Sequence, residues 1–344
     1  MSKRPFIAAR WELFVDRRVE RFFRMLGWQE RVIPYTAYGD TTFVRVLGRV
    51  VLSPPFQDSQ LGKATEEFLK RRGWRNFLTT PCVHARYVIH LDGTRVTGTS
   101  DRGGYIDHRI RDHDLPPGWR QGTVETSSSE PVGFEAQIVG SDQTFGVISD
   151  IDDTILTTMV PRLFISAWNS FFRREEARTA VPGMAVFLDD VLARRPGSPV
   201  FYLSTGAWNT HAFLTRFMRR HRYPRGAMLL TDWGPTNTGW FRSGPEHKRS
   251  ALQQLTIDFP GISWLFVGDD GQHDPAVYGE FAAAHPEHVT AIAIRQLSPA
   301  EQFLAHGTME PLAVASEHPR DIPVFRAPDG RGLRRVLDRY LGRD

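Results

Sequence analysis

The sequence predicts an α/β protein with a Rossmann-like parallel sheet, preceded by a small β-sandwich domain. Three observations lead there. Between residues 141 and 298, short apolar runs alternate with amphipathic stretches, the pattern of a parallel sheet with helices on both faces. Between residues 37 and 140, short β-rich runs are separated by turn signals, as in a sandwich. Two apolar runs of the later segment stop on acidic residues, which suits the carboxyl edge of an open sheet, where ligands bind.

The elements follow in order. Residues 1–36 contain an amphipathic helix in which Phe14, Arg17, Phe22, Phe23 and Leu26 mix with Arg18, Glu20 and Arg21. Such a helix suits a membrane surface or docks its apolar stripe on its own chain. Thr42–Leu52 alternates as a strand, and Ala85–Leu91 and Thr94–Thr99 flank Asp92-Gly93, a hairpin signal. Gly103-Gly104, Pro116-Pro117-Gly118 and Thr126–Ser129 punctuate the remainder. Asp107, His108, Asp112, His113 and Asp114 read as a charged, solvated loop, because nothing matches them with defined ligand geometry. In the second domain, 141–298, strands are expected near 145–149, 200–204, 227–230, 264–268 and 289–295. Helices are expected near 183–194, 208–221, 246–259 and 275–284. An insert at 155–180 carries Met159, Leu163, Phe164, Trp168, Phe171 and Phe172 among Arg162, Arg173, Arg174 and Arg178. Residues 299–344 form a Pro-, Arg- and Asp-rich tail with one short helix near 331–342.

The chemistry concentrates in residues 145–155, Phe-Gly-Val-Ile-Ser-Asp-Ile-Asp-Asp-Thr-Ile. Side chains alternate along a strand, so Asp150 and Asp152 share one side. Carboxylates that close raise one another's pKa. A divalent cation relieves the conflict, and oxygen ligands suit Mg²⁺. One carboxylate could attack phosphorus while the other moves protons. The plain alternative is an acidic turn capping a helix through Asp153 or Thr154. Three further signals follow. Val200–Ser204 ends in Ser204, Thr205 and Gly206, whose hydroxyls and backbone can bind phosphate oxygens. Lys248 opens a stretch with Leu252, Leu255 and Phe259 on one face. Trp264–Gly268 runs into Asp269, Asp270 and then Asp274.

This order of motifs resembles the haloacid dehalogenase superfamily of phosphohydrolases. A closer resemblance is to the App1 phosphatidate phosphatase family, roughly over residues 30–295. It is carried by Ser149–Thr154, Leu203–Asn209, Thr231–Gly234, His247–Lys248, Gly268–Tyr278 and the upstream Val32–Gly39. The resemblance implies a Mg²⁺-dependent phosphatase acting through a phospho-aspartate. It implies Asp150 as nucleophile and metal ligand. Asp152 becomes the acid/base and gives its backbone carbonyl to the metal. Ser204 binds the phosphoryl oxygen, with Thr154, Thr205 and Gly206 completing the expected substrate-binding set. Lys248 stabilises the intermediate, and Asp269, with Asp270 or Asp274, completes the metal site. The insert at 155–180 becomes a cap that chooses the substrate.

Composition sets the remaining bounds. The chain has 344 residues, enough for two domains, with 41% hydrophobic and 24% charged residues, as in a globular protein. The single cysteine, Cys82, forms no internal disulfide, which fits a reducing cytoplasm. No apolar run is long enough for a transmembrane helix, and the basic N-terminus lacks the apolar core of a signal peptide. The expected location is therefore cytoplasmic, peripheral at a membrane if the substrate is an anionic lipid. The net charge of +4 is modest, the basic residues are dispersed and no nucleic-acid motif is present, so nucleic acid is not an expected partner. The expected substrate is a phosphomonoester, with phosphatidate implied by the family. The alternatives are a phosphatase for a soluble metabolite or phosphoprotein, and a catalytically silent membrane- or protein-binding module.

Overall fold

The computed structural model describes residues 18–54, 80–157, 178–231, 244–271, 273–306 and 321–341. Most of the insert at 155–180, residues 232–234 of one family motif and residues 1–17 of the expected N-terminal amphipathic helix lie outside these residues. The chain divides into two compact units, one over Met1–Ile138 with Gly234–Phe241, the other over Val139–Trp233 and Arg242–Asp344.

The first unit opens with helix α1 (18–25) and continues into a sheet of nine strands. These are β1 (Gln29–Pro34), β2 (Ala37–Asp40), β3 (Phe43–Ser53), β4 (Thr80–Pro81), β5 (Arg86–Leu91), β6 (Thr94–Thr99), β7 (Tyr105–Arg111), β8 (Gly118–Thr126) and β9 (Val132–Val139). The long β3 is its spine. One edge pairs first with β2, at Tyr38↔Arg45, and then with β1, from Pro34↔Gly48 to Gln29↔Ser53. The other edge pairs with β7, from Phe43↔Arg111 to Arg49↔Tyr105, and then with β4. Alternating side chains of β3 and its partners fill a core with Val44, Val46, Val50, Leu52, Ile89, Ile106 and Ile138. The β5–β6 hairpin turns at Asp92 and Gly93, both at positive φ (46° and 77°). That is the left-handed pair which Asp-Gly favours between two strands.

One sequence expectation is corrected here. Asp107 and His108 sit in β7 and not in a solvated loop. Leu47↔Asp107 and Val46↔His108 are ladder pairs with β3. The Arg45 guanidinium donates to both Asp107 oxygens, at 2.7 and 2.6 Å, and His108 Nδ1 lies 3.1 Å from the Tyr87 hydroxyl. Strand pairing and a bidentate ion pair account for the polar residues.

The second unit is built on a parallel sheet. Its elements are β10 (Phe145–Asp150), α2 (Met184–Ala193), β11 (Val200–Ala207), α3 (His211–Arg220), β12 (Ala227–Thr231), α4 (Gly244–Asp258), β13 (Ser263–Asp269), α5 (Asp274–Ala284), β14 (Val289–Arg295), α6 (Pro299–His306), β15 (Val324–Ala327) and α7 (Gly330–Leu341). The strand order is β12-β11-β10-β13-β14-β15, and every adjacent pair is parallel. Strands β10 to β14 are almost wholly buried, as expected of strands covered on both faces. Gly146 in β10 makes room for the Trp264 indole, since a Cβ there would lie 2.3 Å from the ring. Phe201 and Phe259 pack edge-on against that indole. The sixth strand, β15, was not expected from the sequence. It has four residues, follows Pro323 and pairs from Ile292↔Val324 to Arg295↔Ala327.

The chain leaves the central β10 on one side to β11 and later returns on the other side as β13. The order of connection reverses there, which opens a crevice at the carboxyl ends of the strands. Asp150, Ser204 and Asp269 all lie at those ends.

Candidate active site

Each acid reaches the crevice by a separate route. Asp150 is the last residue of β10 and Asp269 the last of β13. Asp274 opens α5, followed by Pro275 at the helix start, where proline's missing N–H costs nothing. One carboxylate oxygen from each of Asp150, Asp269 and Asp274 can be chosen so that all lie within 4.8 Å of one another, and all three residues are buried.

Lys248 comes from the fifth position of α4, on the same face as the buried Leu252 and Leu255. Its ammonium is buried and donates to Asp150 Oδ1 at 2.5 Å and to Asp274 Oδ1. The other oxygen of each acid, Asp150 Oδ2 and Asp274 Oδ2, is buried without a hydrogen-bond partner. Asp269 accepts from Gly271 N–H at 2.8 Å and from the Thr154 hydroxyl at 3.4 Å.

Electrostatics follow from this crowding. Burial, then the neighbouring carboxylates of Asp274 and Asp152, pushes Asp150 well above the usual carboxylate range against the pull of Lys248. Burial, then Asp274 and Asp150, raises Asp269 in the same way. Burial pulls the Lys248 ammonium down, but Asp150 and Asp274 outweigh it and hold the group above its ordinary value. One ammonium thus faces three buried carboxylates. The excess negative charge and the two orphaned oxygens fit a hard divalent cation bound by oxygen.

The remaining residues frame this centre. Asp152 is buried beside it, and the Ser204 hydroxyl donates to Asp152 Oδ2 at 2.8 Å while accepting from Gly206 N–H at 2.8 Å. The register of β11 against β12 shifts between Leu203 and Ala207, where Thr231 donates its hydroxyl to the carbonyls of Thr205 and Gly206. Such an irregularity re-aims side chains at a strand end. Asp153 adopts a left-handed backbone (φ 57°), and its carbonyl accepts from Arg295 Nη1 at 2.6 Å. Arg178 lies against the Phe213 ring, at 5.1 Å, within electrostatic reach of Asp152 and Asp153.

The structure therefore brings Asp150, Asp152, Thr154, Ser204, Lys248, Asp269 and Asp274 to one crevice. Asp270 turns away: its Oδ1 accepts from Leu297 N–H and from Gln302, both at 2.8 Å. Of the two acids the sequence left open, geometry favours Asp274. Sequence reasoning missed Arg295 and the Gly271 amide. An arginine closing the apolar run Ala291–Ile294 of its strand was the available signal for the first.

Residues 145–296 match the family described as phosphatidate phosphatase APP1, catalytic domain. Phosphatidate phosphatase APP1 of Saccharomyces cerevisiae is 26% identical over 254 residues, which cover 69% of this chain and 42% of that protein. The chain thus spans less than half the length of that relative. A carbohydrate acetylesterase from Xanthomonas citri is similar at 10% identity, with a TM-score of 0.32 over 88% of this chain and 71% of that one. PhoD is similar at 9% identity, with a TM-score of 0.30 over 78% of this chain and 61% of that one. Likenesses this weak carry no argument about fold or function.

Proposed function

We propose that this chain, whose residues 145–296 match the family described as phosphatidate phosphatase APP1, catalytic domain, is a phosphatase that hydrolyses phosphatidate to diacylglycerol and phosphate. Asp150 is the nucleophile. One of its carboxylate oxygens attacks phosphorus, and the ester P–O bond breaks. Asp152 gives its proton to the leaving oxygen, so the alcohol departs neutral. The Asp152 carboxylate then takes a proton from water, the water oxygen attacks the phospho-aspartate, and phosphate leaves with Asp150 restored. Ser204, Thr205, Gly206 and Thr154 orient the phosphoryl oxygens. Lys248 balances charge on the nucleophile side. Asp150, Asp269 and Asp274, with the Asp152 backbone carbonyl, would hold Mg²⁺, which when bound supplies charge neutralisation to the phosphoryl group.

The observation that carries this reading is the pair of buried oxygens without hydrogen-bond partners, Asp150 Oδ2 and Asp274 Oδ2, beside Lys248. The reading takes the parallel sheet as a haloacid dehalogenase core over 141–298 with a cap at 155–180. It takes residues 37–140 as a β-sandwich, and the protein as a cytoplasmic enzyme acting at a membrane surface. The test is a screen of phosphatidate, lysophosphatidate and soluble phosphomonoesters with and without Mg²⁺, using Asp150→Asn as control. Metal-dependent hydrolysis that prefers phosphatidate and vanishes in the variant is expected. Hydrolysis that survives Asp150→Asn overturns the nucleophile, and a preference for soluble esters overturns the lipid.

A further inference from the structure

Arg295 closes β14 and is buried. Its guanidinium is divided among three segments of the second unit. Nη2 donates to Glu301 Oε1 at 2.5 Å, in the first turn of α6, and Nε donates to the Pro328 carbonyl at 3.2 Å, just ahead of α7. Nη1 donates to the Asp153 carbonyl at 2.6 Å. Glu301 is itself fixed, because it accepts from Ser298 N–H at 2.9 Å and from the Ser298 hydroxyl at 2.8 Å. The backbone of the same arginine holds the second acidic turn, since its carbonyl accepts from Asp270 N–H at 3.0 Å. A strut between β14 and the helices that follow needs only Glu301 and Pro328. The third contact of the guanidinium reaches the crevice.

What it grips there is a tight turn. Asp153 is left-handed, with φ 57°, a conformation that side chains adopt rarely and keep only where the surroundings enforce it. Asp153 N–H donates to the Leu156 carbonyl at 2.8 Å, and the N–H groups of Ile155 and Leu156 both donate back to the Ile151 carbonyl. On one side of Asp153 stands Asp152, whose Oδ2 accepts from Ser204. On the other stands Thr154, whose hydroxyl lies 3.4 Å from Asp269 Oδ2. The peptide that Arg295 pins therefore sits between the proposed proton carrier and the cluster of acids. A charged donor makes this bond stronger than a neutral one would.

We infer that Arg295 is a positioning residue for the proton transfer: it locks the turn Asp152–Thr154 so that the Asp152 carboxyl meets the leaving oxygen. It acts through the Asp153 carbonyl and not by contact with substrate. Its anchor, Glu301 with Ser298, lies past residue 296, so residues beyond the family match help to set the geometry of the crevice. The lock rests on the hydrogen bonds alone; its effect on turnover rests on the phosphatase reading above.

The test compares the full wild-type chain with Arg295→Met and with the milder Glu301→Ala, which alters a partly exposed residue. Backbone hydrogen exchange is followed first, without substrate. The amides of residues 151–156 should exchange at least about tenfold faster in Arg295→Met, and less so in Glu301→Ala, while those of β12 keep their rate. Turnover is the second measure. For lysophosphatidate, whose alkoxide needs a proton as it leaves, kcat/KM should fall at least about tenfold. For p-nitrophenyl phosphate, whose phenolate leaves unaided, it should fall no more than about threefold. A strut without bearing on proton transfer would lower both alike. If Arg295→Met does not fold, Glu301→Ala decides by the same two measures. Unchanged exchange in the turn overturns the inference, and so does an equal loss on the two esters. A wild type that cleaves neither ester sinks the enzymatic reading, while faster exchange in the variants still sustains the grip of Arg295 on the turn.

Discussion

The Ser204 hydroxyl points at Asp152 Oδ2 from 2.8 Å, although 52 residues separate them in the chain. Strands β10 and β11 run side by side, and both residues emerge at the same end. The proposed proton carrier is thus oriented by the proposed phosphoryl ligand. Asp152→Asn should cost on the order of 10²–10⁴ in kcat, the usual worth of a positioned acid/base. Ser204→Ala should cost less. The double variant should lose less than the product of the two, because residues in contact do not act independently. Steady-state kinetics on the four proteins checks this, and multiplicative losses would refute the coupling.

Asp274 and Asp270 separate in a second experiment. Mg²⁺ should raise the thermal midpoint of the wild type, because a ligand that binds only the folded state stabilises it, by about 2.7 kcal/mol at a hundredfold excess over Kd. Asp274→Asn should abolish that rise, and chelation should reverse it in the wild type. Asp270→Asn should keep it, since that carboxylate is held by Leu297 N–H and Gln302. A rise lost in Asp270→Asn and kept in Asp274→Asn would reverse the assignment.

Gly268 is held to its size by the same acid. A Cβ at this position would lie 2.5 Å from Asp274 Oδ2 and 2.7 Å from the Tyr278 ring. Gly268→Ala should displace the carboxylate and cost about 1–3 kcal/mol of stability through overpacking. Its Mg²⁺-dependent shift in thermal midpoint should shrink as well. A variant as stable and as responsive to Mg²⁺ as the wild type would show that the crevice yields.

A separate acid sensitivity is expected from His211, at the start of α3. Burial pulls its imidazole from 6.5 down to about 4. The unfolded chain therefore takes up a proton that the folded protein refuses. The contribution of this residue is complete above about pH 6.5 and is lost as pH falls towards about 4, by about 3 kcal/mol at most. His211→Gln should flatten that part of the profile. Denaturant midpoints of both proteins across this range provide the check, and parallel profiles would exclude His211 as the cause.

What the sequence made legible was where buried strands stop. Asp150 and Asp269 could be read because apolar runs end on charge, and Lys248 because it shares a helical face with Leu252 and Leu255. The choice between Asp270 and Asp274 was not legible. It depends on Leu297 and Gln302, which only the fold brings to Asp270. The reach of Arg295 into the crevice was hidden for the same reason, since there it donates to the Asp153 carbonyl, 142 residues away. Asp107 and His108 looked like a loop because polarity alone does not reveal a neighbour such as Arg45. Strand β15 was too short, and too close to Pro323, to stand out by pattern.

That short strand has a consequence for anyone trimming the chain. The family match ends at residue 296, yet the sheet ends at Ala327, with Ile292 N–H donating to the Pro323 carbonyl and Gln296 N–H to that of Ala327. A protein cut after residue 298 would bare the outer rim of β14, a row of open backbone donors and acceptors on an apolar strand. Rims of that kind recruit other chains, so such a fragment should precipitate or self-associate even with every acid of its crevice intact.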